Sequence, residues 1–472
     1  MSDQSMEILN MPLPVTAIAL NRFGLGARPD DVPPKNPKAW LRDQLQAYQP
    51  RPPMIAALPN SGAIAIPYFQ SRRQANRAVD AEAKQAIYAA SRSDHRRIYR
   101  AAVNARVANA LATDTPFVER LVHFWTNHFA ISADKVTTVP FVGSFENEAI
   151  RPHIIGSFYD LALAVERHPG MLIYLDQASS IGPQSTMAQR ARSRDASRVP
   201  GMNENLGREI MELHTLGVRS GYTQNDVTEF ARALTGWSIG GVAAPTFEQD
   251  VVAGSFIFRP GMHEPGERTI MGRRYGQIGE EQARAVLHDL VKAPATATHI
   301  ATKLARHFAG DDPPGALIER LSRAFADTQG DLPTLYRVLI DSPESWAPRL
   351  LKFKTPWEWG ISALRGIGLK TADSLLPPQM FSQLGQSVWE PGSPAGWADI
   401  ATSWAAPDAL VRRVEVANRL ATLAADRYDP RELANKLLAT PPSPNTRAMI
   451  EGADSRAIGL ALLLVSPEFQ RR

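Results

Sequence analysis

Helix-start signals recur along this chain, and they limit it to a mainly α fold. Thr115 is expected to cap a helix with Pro116 at its first position, where proline is tolerated because the N–H it lacks has no partner there. Thr223 and Asp226 have the spacing of a capping box. Behind them Val227, Phe230, Ala231, Leu234 and Trp237 fall on one face. Periodicity predicts further helices over 40–48, 81–111, 280–292, 298–308, 314–327, 332–340, 357–367, 409–424 and 456–465, with another starting near Asn203. Strand signals are few. Phe256-Ile257-Phe258 and Thr269-Ile270-Met271 flank a Pro/Gly-rich turn and predict one small β-hairpin near 254–273. The expected architecture is a multi-helix globular bundle over 1–472, read as a single domain. Mobile loops are expected near 177–201 and 376–394, where turn-forming residues cluster.

Composition narrows the chemistry. The 472 residues are 44% hydrophobic and 21% charged, an ordinary globular balance with enough apolar side chains for a large core. There is no cysteine, which excludes disulfides, thiolate metal sites and cysteine nucleophiles. A formal charge of +4 is too small to mark a nucleic-acid binder. A basic stretch from Arg72 to Arg106, with Tyr88 and Tyr99 interleaved, is diluted by Asp80, Glu82 and Asp94 and reads as a solvated helix face. Arg190, Arg192, Arg194 and Arg198 form a looser basic loop that could gate a site, hold an anion or serve as a soluble linker. No apolar run approaches the roughly 20 residues of a membrane span. The first residues, with Asp3 and Glu7, lack the pattern of a secretory signal, so the cytoplasm is the expected compartment. No phosphate loop, dinucleotide fingerprint or nucleophile elbow is present.

The polar residues that stand out sit beside apolar stripes. Phe117, Leu121, Phe124 and His128 share a helical face, so His128 continues a hydrophobic stripe, whereas Arg120, His123 and Asn127 lie on a more polar side. A buried imidazole needs partners for its ring nitrogens. It is either a hydrogen-bonded core residue or a metal ligand or acid/base. In Asn203–Gly217, Leu206, Ile210, Leu213 and Gly217 define a stripe. At about 100° per residue, Glu209 and His214 flank it on opposite sides and Glu212 lies further out, within reach of Arg208. His263 lies in the turn of the predicted hairpin, where a loop residue could reach across to a helical site.

Together His128, Glu209, His214 and His263 compose a His/carboxylate set suited to one transition metal: Zn, Fe or Mn. Such a metal would polarise substrate or activate water or dioxygen, with Glu212 or Glu204 as base or orienter. The expected function is then a metal-dependent oxidoreductase or hydrolase. The alternative is a non-enzymatic binding or assembly protein, whose polar residues form a buried network fixing helix packing.

Several of these segments resemble one family. Phe124-Trp125-Thr126-Asn127-His128-Phe129 is similar to its aromatic–Asn–His motif. Asn203–Gly217, with Gly221-Tyr222-Thr223-Gln224 and Ala233-Leu234-Thr235-Gly236-Trp237, is similar to its central signature. His263, Gly266 and Gly272 resemble its hairpin, with Glu264 where an Asp is expected. Lys352, Lys354 and Pro356, then Leu384-Gly385-Gln386, Gly396-Trp397 and Ser466-Pro467-Glu468-Phe469-Gln470, resemble its later motifs. The family is the domain-of-unknown-function 1800 family. The resemblance implies a helical bacterial protein without a settled activity, whose members are paired with sulfatase-like exported proteins. By that analogy the chain works with such a partner, and co-export to the periplasm becomes the alternative location.

Overall fold

The computed structural model describes residues 13–194, 201–241, 251–371 and 375–472. It is mainly helical, and the helices begin where local chemistry favours a start. Asp80 accepts the Ala83 N–H at 2.7 Å and opens the long helix Ala81–Ala112. Thr223 and Asp226 form the complete capping box of Gln224–Leu234. Thr355 and Glu358 do the same for Pro356–Gly366. Thr115 stands at the head of Pro116–His128 but makes no capping bond. The buried Phe117 N–H, which has no partner within the helix, is instead taken by Gln44 Oε1, at 2.9 Å, from a helix far back in the chain.

Pro116–His128 is the central element. Phe117, Val118, Leu121, Val122 and Trp125 are fully buried in one contiguous apolar core that runs from Leu13 to Phe469. Each such side chain contributes roughly 1.5–3 kcal/mol of burial. Glu119 and Arg120 of the same helix are buried as well, so its polar side also faces inward. Glu119 is neutralised by Arg151, which reaches it at 2.9 Å.

The β structure differs from expectation. The strands fall near the predicted places but do not pair with each other. β1 (Trp237–Ile239) pairs antiparallel with β2 (Phe256–Phe258), and β3 (Arg268–Ile270) with β4 (Arg273–Tyr275). The second pair is a tight hairpin. Met271 and Gly272 both have positive φ, the signature of a two-residue turn whose twist matches its strands. The first pair is long-range, and no local turn signal could announce it.

The segments expected as mobile loops contain regular structure. Within 177–201 lies the helix Thr186–Arg194, which carries Arg190, Arg192 and Arg194; Arg198 lies outside the described residues. Within 376–394 lies the helix Pro377–Gln383, followed by the buried residues Val388 and Trp389. The N-terminal stretch with Asp3 and Glu7 also lies outside the described residues. No described helix is long and apolar enough to cross a membrane.

Candidate functional site

The helix Pro294–Ala309 has two faces. Ile300, Ala301, Leu304, Ala305 and Phe308 enter the core. Lys303, Arg306 and His307, three and four residues apart, share another face. That face is half-buried. It borders a cavity of about 430 Å³, closed on a second side by Pro116–His128 and on others by Trp357 and the segment from Gln386 to Ile400. This volume is in the range of small-molecule sites, ~300–1,000 Å³.

The segment 386–400 has few internal hydrogen bonds and is held by its neighbours. Tyr99 donates to the Val388 carbonyl at 2.7 Å, and the Ala133 N–H donates to that of Trp389 at 2.8 Å. Gln386 accepts the Trp357 N–H at 2.7 Å. Asn127 makes the tightest clamp. Its amide donates to the Trp397 carbonyl at 2.9 Å and its oxygen accepts the Trp397 N–H at 2.8 Å. Gly396 is required beside it: φ is +80°, and a Cβ there would lie 2.2 Å from the Asn127 carbonyl oxygen.

The clamp positions Asp399. His307 Nδ1 donates to Asp399 Oδ2 at 2.9 Å. In the neutral ring Nε2 then carries the lone pair; it is buried without a partner, and His307 lines the cavity. Burial lowers the pKa of His307, and Asp399 opposes that shift without overcoming it, so the imidazole is neutral at pH 7. Burial pushes the Asp399 carboxyl up, but His307, Lys352 and Arg472 outweigh this and hold it well below the usual carboxylate range. Lys352 supports Asp399 twice, donating to its carbonyl at 2.6 Å and approaching Oδ1 at 3.0 Å.

The rest of the wall is aromatic and cationic. The Arg106 guanidinium lies 4.2 Å from the Trp357 ring centroid and 5.2 Å from that of Trp389. Behind it Glu146 holds Arg106 at 2.9 Å, Trp389 Nε1 at 2.9 Å and Thr126 Oγ1 at 3.0 Å. Arg120 pairs with Glu358, which also receives Arg472 at 2.6 Å. Trp357 Nε1 donates to His123 Nδ1 at 3.1 Å. Burial, with Arg106 next, pushes His123 down to about 4. The lining holds four cations (Arg106, Arg120, Lys303 and Arg306) against two carboxylates, Glu358 and Asp399.

Of the six residues expected to hold or serve a metal (His128, Glu204, Glu209, Glu212, His214 and His263), only His128 lines this cavity. It is 1% exposed, and its Nε2 donates to the His214 carbonyl at 3.1 Å. His214 is equally buried and donates from Nδ1 to Glu166 at 2.7 Å. The two rings are 6.3 Å apart, and His299 is 6.0 Å from His128. Glu209 does not flank the stripe opposite His214 as regular helical geometry predicts. Ile210–His214 is a π-helix, whose i→i+5 bonds widen the turn and rotate His214 inward, while Glu209 stays half-buried. His263 donates from Nδ1 to the Thr235 carbonyl at 2.9 Å and meets Phe258 edge-on. Glu204 is occupied by Arg208, Thr228 and Gln224, so Arg208 pairs with Glu204 and not with Glu212. Glu212 lies by Tyr222. The proposed ligands therefore do not share a centre: among the described residues no group of three or more His, Asp or Glu side chains is arranged to hold a metal ion. Arg106, read from sequence as part of a solvated basic face, is buried and belongs to the cavity.

Sequence reasoning missed Lys303, Arg306, His307 and Asp399. The available signal was a polar stripe opposite an apolar one, which looks the same whether it meets solvent or a cavity.

Fold and site define a mainly helical protein with a partly open cavity bordered by an oriented histidine. Residues 18–471 match the family described as Protein of unknown function (DUF1800), and the chain belongs to that family. No curated protein and no solved structure matches it.

Proposed function

We propose that the chain is an enzyme that binds a small anionic molecule with an apolar or aromatic part in this cavity and uses His307 as general base. The observation that carries this reading is the His307–Asp399 bond, with Nε2 unpartnered at the cavity wall. A base needs a lone pair facing its substrate and a second group fixing its tautomer, and the pair supplies both. Asp399 would also stabilise the imidazolium formed when the proton arrives. Arg306 uses Nε for the Asp311 carbonyl at 3.3 Å, and the other guanidinium nitrogens are available to an anionic group. Phe124, Trp357, Trp389 and Trp397 supply the apolar surface.

Chemical modification tests this without the natural substrate. Diethyl pyrocarbonate acylates unprotonated imidazoles. It should modify His307 at pH 7, and benzoate or phenyl phosphate should protect that residue while cyclohexanol, which is uncharged, should not. A His307 that stays unmodified, or is modified equally with and without the anions, sinks the proposal.

A further inference from the structure

Among the described residues, Lys303 is the one cation of the cavity face whose head group has no fixed partner. It makes no hydrogen bond or ion pair there, whereas Arg106 and Arg120 each have a carboxylate and Arg306 a carbonyl. The carboxylate whose charge acts on it, Asp399, is already engaged by His307 and Lys352. Lys303 also stands one helical turn before His307, on the same face, so amine and base border the same space.

We infer that Lys303 binds its substrate covalently, as an imine formed with the aldehyde or keto group of a small carboxylate-bearing molecule. This rests on the cavity being the substrate site and names the class of substrate it takes. The neutral amine of Lys303 bonds to the carbonyl carbon as the C=O π electrons move to oxygen. The ammonium proton of this adduct passes through His307 Nε2 to the alkoxide. A proton from solvent then leaves with the hydroxyl as water, and the nitrogen lone pair completes the C=N bond of an iminium cation. No oxidant or reductant is consumed. Arg306, on the same face, is placed to hold the carboxylate, and the tryptophans to hold an apolar tail.

Protonation state supports the geometry. Burial lowers the Lys303 ammonium to about 8, with Arg306 assisting and Asp399 opposing. The groups facing it are Asp399 and Arg306, together with His128 and His299, both kept neutral by burial. Desolvation is a known way to make a lysine nucleophilic near neutrality.

The experiment is reductive trapping on the full chain. Protein is incubated at pH 7 with equimolar phenylpyruvate and sodium cyanoborohydride, and the modified lysines are mapped by peptide mass spectrometry. An amine near 8 has on the order of 100-fold more neutral form at that pH than an exposed lysine at ~10.4, so Lys303 should be labelled faster by about that factor. Phenyllactate, which lacks the carbonyl, should leave no adduct. H307N should slow labelling of Lys303 by about 100-fold, to the level of exposed lysines, while leaving the rates at those lysines unchanged. The wild-type map needs no variant, and K303R and K303M, checked for an unchanged melting curve, should lose the adduct. Labelling of Lys303 no faster than that of surface lysines overturns the inference. If that happens while benzoate still protects His307, the covalent step falls and the cavity reading stands; if protection fails too, both fall.

Discussion

His307 Nδ1 lies 2.9 Å from Asp399 Oδ2, across 92 residues of chain. Neither residue is informative alone. One sits on a helix whose polar stripe could be a solvated face, the other in a segment with little regular structure. Their bond orients one ring nitrogen and leaves the other without a partner on a residue that lines the cavity, which converts two ordinary polar positions into a candidate base.

Asp399→Asn removes the negative charge that opposes the effect of burial on His307. The pKa of His307 should fall further below its ordinary value. Histidine ring NMR titration of the variant against the parent checks this. An unchanged titration would mean that Asp399 does not govern the imidazole.

Glu358→Gln should destabilise the fold by roughly 3–5 kcal/mol, because Arg120 and Arg472 are left buried without their shared counter-charge. Gln retains an oxygen that can complete the capping box with Thr355, so the loss reports charge and not the helix start. Urea unfolding measures it, and a change below about 1 kcal/mol would contradict the account.

Stability should decline as pH falls from ~6.5, the value of an unfolded histidine, toward 4. Burial lowers the pKa of His128, His299 and His123, the last two to about 4. Across that window the unfolded chain takes up protons that the folded chain refuses, so acid favours unfolding, and the loss is complete only below the folded values. The penalty should reach a few kcal/mol. Thermal melts at stepped pH check it, and His123→Asn should flatten the profile. A melting temperature constant from pH 7 to 5 would show that these imidazoles are not held neutral.

Asn127→Ala removes both bonds that clamp Trp397. The expected cost is about 1–3 kcal/mol, from the loss of two hydrogen bonds at the half-buried Trp397 backbone. Tryptophan fluorescence and protease sensitivity between residues 386 and 400 should both rise relative to the parent. Gly396→Ala should behave alike, through backbone strain and the clash with the Asn127 carbonyl. Unchanged protease sensitivity in both variants would show that the clamp does not hold this wall.

Much of the helical framework is readable from local sequence. The spacing predicts 280–292 and 456–465, and the structure has Glu280–Lys292 and Arg456–Val465. The capping box at Thr223 and Asp226 and the proline start at Pro116 stand as read. His128 is recognisable as a buried polar residue because it interrupts an apolar stripe. The central segment misleads through one local departure: the π turn at Ile210–His214 rotates His214 away from the position that regular geometry assigns it.

By itself, then, the sequence determined where helices start and which stripes enter the core, since hydrogen-bond capping and a 3.6-residue period act over neighbouring positions. Only the tertiary structure decided that Lys303, Arg306 and His307 face a cavity, that Asp399 meets His307, and that Arg106 turns inward between two tryptophans. The physical reason is that a polar stripe is stable in water or against a satisfied polar wall. Which of the two it meets depends on segments far away in the chain that close over it.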